Sequence, residues 1–142
     1  MPVVNVEVSS PLSPAEALRV ITDFGPSRAE AWPGVDLSRL VVHQAGDGHA
    51  DVTEGNDTTW ERVTYDWDEA TGTVTARTTD SNVWAEGSRW DYRLTPVENG
   101  TLVGVRLERH GKNLKGKLIG ALLPLLGTKV VTDSLRSALR LT

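Results

Sequence analysis

The sequence predicts an α+β fold: a curved, antiparallel, seven-stranded sheet wrapped around one long C-terminal helix. Three observations lead there. From about residue 38 to 110 apolar and polar residues alternate with a period of two, the spacing of half-buried strands. Short Gly, Asn and Asp connections of the hairpin kind divide that region, so its strands should meander antiparallel. Of the helical stretches, only the last, 113–141, is long enough to cover the concave face of such a sheet. The length, 142 residues, suits a single domain, 1–142, with its own core.

Val4, Val6 and Val8 alternate in the opening segment VVNVEV and mark the first strand. Ser13-Pro14-Ala15-Glu16 then starts a helix: the serine caps it, the proline suits its first turn, and the glutamate completes a capping box. Gly25 stops it, and a second short helix runs from Ser27 to Trp32, ended by Trp32-Pro33-Gly34. The remaining strands are expected at 38–45, 49–54, 58–67, 73–79, 83–95 and 101–110. Residues 113–141 read as one helix, roughly 40 Å long at 1.5 Å per residue. Its front half, LKGKLIGALLPLLGTKVV, is poor helix language, with Gly116, Gly120 and Gly127 among leucines and Pro124 near the middle. Pro124 should free the Gly120 carbonyl and kink the axis. The glycines either leave room beneath the helix or let it approach the sheet. Past Lys129 the pattern turns regular, with Val131, Leu135, Ala138 and Leu139 inward.

Charge is unevenly spread. Residues 1–111 hold nine arginines against eighteen acids, whereas 112–142 hold six basic residues against Asp133 alone. The basic helix is either a solvated face attracted to the acidic body or a contact for an anionic partner or membrane surface. No cysteine is present, so disulfides and thiolate metal sites are excluded. The N-terminus lacks the pattern of a secretory signal, and a cytoplasmic location is expected.

The order of elements, together with particular residues, resembles the START-like (SRPBCC) helix-grip superfamily, and within it the polyketide cyclase/dehydrase group. The matching pieces are VEVSSPLSPAEALRVITDF, Asp23-Phe24 spaced to Trp32-Pro33-Gly34-Val35, WERVTYDWDEATGTVTAR, WDYRLTPVENGTLVGVRLE and LIGALLPLLGTKVVTDSLRSALRLT. They cover essentially the whole chain. One departure is Glu69, where the family often has a proline after the aspartate. The resemblance implies a deep cavity between sheet and terminal helix that holds an apolar small molecule such as a lipid or an aromatic. It implies no cofactor and no universal catalytic residue, because the family spans cyclases and carriers alike.

Alternation then assigns the lining. On 83–95 the even residues Trp84, Glu86, Ser88, Trp90, Tyr92 and Leu94 face inward. On 101–110 the odd residues Thr101, Val103, Val105, Leu107 and Arg109 do so, and on 58–67 Thr59, Glu61, Val63, Tyr65 and Trp67. Trp32, Tyr65, Trp84, Trp90 and Tyr92 form either an aromatic wall with N–H and O–H groups for a ligand or a plain aromatic core. Leu123 joins the lining from the front half of the helix. Glu61, Glu86 and Arg109 either cluster inside, with Glu86 a candidate raised-pKa acid, or touch water at the sheet rim. The functions open at this point are carriage or sensing of a hydrophobic molecule, cyclase or dehydratase chemistry by an inward acid or base, and a contact made by the basic helix.

Other chemistries lack support. Gly111 to Lys117 fits most of a phosphate loop, but Leu118 stands where Ser or Thr would hold magnesium, and the sheet is antiparallel. His43, His49 and His110 are too scattered for a metal site. No G-x-S-x-G elbow is present. Nucleic-acid binding would need aromatics on the basic face, which has none. About fourteen apolar residues at 118–131 fall short of the ~20 of a transmembrane helix, although peripheral membrane contact by the basic helix stays open.

Overall fold

The computed structural model describes residues 2–139. Seven strands form one antiparallel sheet: β1 (Val3–Ser10), β2 (Val41–Gly46), β3 (His49–Gly55), β4 (Trp60–Asp68), β5 (Thr73–Ser81), β6 (Arg89–Val97) and β7 (Gly100–Glu108). Their order is β1-β7-β6-β5-β4-β3-β2, so each strand from β2 onward pairs with the next and β1 closes against β7. Between β1 and β2 lie α1 (Pro14–Ile21) and α2 (Ser27–Ala31). Ser13 caps α1 through its side chain and Glu16 returns the bond, the reciprocal box expected from the sequence.

The hairpins follow their turn residues. Asn99 (φ 68°) and Gly100 (φ 152°) make the β6–β7 turn, and a side chain at position 100 would strike the Ser10 carbonyl. Alternation places the core faces correctly on β4 and β7: Glu61, Val63 and Tyr65, and Thr101, Val103, Val105 and Leu107 with Arg109 just past the strand, are all buried on the concave side.

Three expectations change. Residues 38 and 39, assigned to a strand, belong to a 3-10 turn (Leu37–Arg39) capped by Asp36, and β2 starts only at Val41. The strand expected at 83–95 begins at Arg89. Residues 83–88 form a loop, turned at Gly87 (φ 96°) and tied by the Ala85 N–H to the His110 carbonyl and the Lys112 N–H to the Val83 carbonyl. Period-two reading does not detect a positive φ, so the parity that holds for Trp90, Tyr92 and Leu94 fails at Glu86, which is exposed, although Ser88 and Trp84 are buried as expected.

The third change is in the terminal helix. It comprises α3 (Leu114–Leu122), a wide π turn (Leu123–Gly127) and α4 (Thr128–Ala138); residues 140 and 141 lie outside those described. The π turn absorbs Pro124, and the Gly120 carbonyl accepts from the Leu123 N–H, so the bond lost to proline is replaced one residue earlier. Leu114–Ala138 is 25 residues, long and apolar enough by composition to cross a membrane, which overturns the length argument made from 118–131. It is nevertheless the helix that grips the sheet, through Gly127, Val131, Leu135 and Ala138, while Gly116 and Gly120 pack against the 83–88 loop and Pro2, all six buried. The glycines are there for contact. A Cβ on Gly116 would collide with the Val83 carbonyl, and one on Gly127 would lie 2.8 Å from Val4 Cγ2.

Candidate functional site

A cavity of about 320 Å³ lies between the concave face and the terminal helix. That is the low end of the ~300–1,000 Å³ usual for small-molecule sites. Its floor comes from β4, β6 and β7 with Glu61, Tyr65, Trp90, Tyr92, Leu107 and Arg109. One side is α2 and the segment after it, with Arg28, Trp32, Gly34 and Val35; the opposite side is the 82–88 loop with Trp84. Leu123 from the π turn and Val130, Val131 and Ser134 from α4 form the roof.

Of the nine residues expected to line it, eight do: Trp32, Glu61, Tyr65, Trp84, Trp90, Tyr92, Arg109 and Leu123. Glu86 does not. It sits exposed in the 83–88 turn, because β6 starts three residues later than its parity required. Trp60, expected to point out, also joins the lining from the start of β4.

The wall carries two buried ion pairs, and strand register explains why there are two. Glu54 on β3 and Glu61 on β4 are direct cross-strand partners, a like-charge pairing that is unfavourable alone. Each carboxylate has its own arginine. Arg28 Nε donates to Glu54 Oε1 at 2.6 Å, and Arg109 donates to Glu61 Oε2 at 2.9 Å. Both arginines are over nine-tenths buried and stack on aromatics: Arg28 lies 4.7 Å from the Phe24 ring centroid, Arg109 5.1 Å from Trp84. The other donors of Arg28 are also used. Arg28 binds the Ile21 carbonyl at 2.8 Å and the Tyr65 hydroxyl at 2.9 Å, while Tyr65 donates to Glu54 in a short hydrogen bond. Arg109 reaches Thr78 Oγ1 at 3.3 Å.

Burial pushes the Glu61 carboxyl above its ordinary value; Arg109 opposes this and Glu54 adds to it. Burial likewise raises the phenols of Tyr65 and Tyr92, so both remain neutral donors. One donor is left over: the Trp32 indole N–H is buried and, among the described residues, has no hydrogen-bond partner. The Tyr92 hydroxyl also belongs to a residue of the cavity wall. An unpaired buried donor costs about 1–3 kcal/mol, which a ligand oxygen can recover.

Arg28 and Glu54 are absent from the lining that the sequence assigns. Glu54 shares parity with Ala50 and Val52 on β3, so the signal exists in the alternation. Arg28 stands four residues before Trp32, on one helical face, and a charged residue on a five-residue helix gives no periodic signal.

The chain matches, over residues 1–140, the model of the polyketide cyclase/dehydrase and lipid transport family, and it belongs to that family. Among solved structures it resembles the Zhui aromatase/cyclase from Streptomyces sp. R1128, with a TM-score of 0.80 and 12% identity over 97% of this chain and 91% of that one. A START superfamily protein from Mycobacterium smegmatis gives 0.74 and 13% over 99% and 98% of the two chains. TTHA0849 from Thermus thermophilus gives 0.73 and 17% over 98% and 92%. These likenesses establish the helix-grip fold. Among curated proteins none matches the chain.

Proposed function

We propose that the protein binds one largely apolar, oxygen-bearing small molecule in this cavity, as a carrier or sensor. The observation that carries the reading is the unpartnered, buried N–H of Trp32, a residue of the cavity wall that Tyr92 also lines. Aromatic and aliphatic lining supplies affinity by burial, at about 25 cal/mol per Å² before association costs. The Trp32 N–H, with the Tyr92 hydroxyl, orients a carbonyl or hydroxyl oxygen. The family's cyclases and lipid carriers favour a ligand of this type. Trp32→Phe keeps an aromatic ring and removes the donor, so affinity for a ketone-bearing aromatic should fall about tenfold, and more than affinity for the same aromatic without the ketone. Equal affinity in both proteins would reject the assignment.

The second reading is cyclase or dehydratase chemistry on a polyketide-like substrate, favoured by the raised carboxyl of Glu61 on the cavity floor. A carboxyl whose proton is held more tightly than usual can act as general acid toward a developing alkoxide or a leaving hydroxyl, with Arg109 steadying the carboxylate that results. Loss of turnover in Glu61→Gln with binding retained would select this reading. Binding without turnover in the unaltered protein would select the carrier.

A further inference from the structure

α3 is built inside out. Its buried face is Gly116 and Gly120, packed against Val83 and Trp84 of the 83–88 loop and against Pro2, while Leu114, Leu118 and Leu122 face solvent at 74%, 60% and 51% exposure. At about 100° per residue these leucines centre on the side opposite the glycines. The face continues through the π turn with Leu125 and Leu126, 78% and 56% exposed, and reaches Val130, itself on the rim of the cavity. A contiguous aliphatic surface of this kind marks an interaction site.

Lysines border it. Lys115 and Lys117 flank Leu118 on either side of the helix, Lys112 precedes it, and Lys129 lies at the far end. Lys115 gives one hydrogen bond to the Thr58 carbonyl and keeps its charge. Asp80 lies 3.5 Å from Lys112, and Asp133 pairs with Lys129. From 112 to 139 there are five basic residues against one acid, whereas the rest of the protein is strongly acidic.

We propose that this leucine face, with its lysine border, docks on the surface of an anionic lipid bilayer. Exposed aliphatics flanked by lysines suit the acyl–headgroup boundary, and the basic helix is drawn to negative headgroups that repel the acidic body. The orientation is thereby fixed with α3 down. A second copy of the chain fits less well, because a two-fold pairing of this face would oppose the two lysine sets. Docking would also set Leu123 and Val130, and with them the cavity roof, against the lipid. The proposal goes beyond the cavity reading and stands on the exposed leucines and lysines of α3, which line no part of the ligand site.

The test is flotation of the full chain with vesicles of phosphatidylcholine alone or with phosphatidylglycerol at roughly 30 mol%, at low and high salt. Binding to the anionic vesicles alone, weakened by salt, is expected. Lys115→Glu with Lys117→Glu should lower it about tenfold or more, and Leu118→Glu with Leu122→Glu should abolish it. These positions are exposed, and an unchanged melting temperature confirms that each variant folds. No binding to anionic vesicles, or leucine variants that bind as well as the unaltered protein, overturns the proposal. So does a dimer in light scattering that the same leucine variants dissociate. Cavity occupancy, followed separately by ligand titration, shows whether the ligand reading fails independently.

Discussion

In α3 the buried residues are glycines, set against the 83–88 loop, and the leucines face water; in α4 Val131, Leu135 and Ala138 are buried and Lys129, Asp133 and Arg136 face out. One element thus uses opposite rules on either side of the π turn. α4 is held by side-chain burial. α3 is held by close backbone approach, which the Val83 carbonyl permits only where no Cβ intervenes, and its apolar residues are left for another surface. Hydrophobicity along a helix therefore does not say which face is core; the smallest residues can.

The strongest way to break this comparison is truncation at matched leucines. Leu135→Ala, at a fully buried site, should cost about 2–5 kcal/mol. Leu118→Ala should stay within about 0.5 kcal/mol in urea denaturation. Comparable losses would mean that α3 is also core. Buried charge comes next: Arg28→Met strands Glu54 and should cost about 3–5 kcal/mol, with much of that recovered when Glu54→Leu is added. Gly116→Ala should destabilise by about 1–3 kcal/mol, although alanine favours helix by ~1 kcal/mol over glycine, because the new methyl meets the Val83 carbonyl. A stabilised variant would remove the case for close approach.

Smaller effects sharpen the picture. Pro124→Ala restores an N–H inside the π turn beside Leu123, a roof residue, so it should change ligand exchange rates more than melting temperature, read by stopped-flow fluorescence. The smallest effect concerns pH. The Glu61 carboxyl titrates above its ordinary 4.5 in the folded protein, so its protonated form is favoured there. Its contribution to stability is complete below 4.5 and declines as pH rises through the folded value. Relative to Glu61→Gln, the unaltered protein should lose stability over that interval and then run parallel. An unaltered protein that gained stability relative to Glu61→Gln as pH rises through that interval would reverse the sign.

Much of this is legible in the sequence because alternation and turn chemistry are local. The inward sets of β4 and β7, the capping box at Ser13 and the inward face of α4 all follow from residue order. The failures share a different cause. Glu86 lies outside the cavity because Gly87 turns the chain with a positive φ, and the Arg28–Glu54 pair joins residues from a short helix and a distant strand. The leucines of α3 escape the pattern because what decides their face is the Val83 carbonyl across the interface, which no periodicity encodes.

The central claim is that the space beneath this helix holds a ligand. Native mass spectrometry of the protein with a panel of ketone-bearing aromatics and fatty acids tests it directly, against Ser134→Trp, which puts an indole into the cavity from the roof. One ligand retained per chain in the unaltered protein, and none in the filled variant at equal thermal stability, is the predicted result. An unaltered protein that retains nothing, or two proteins that retain ligand alike, would contradict it.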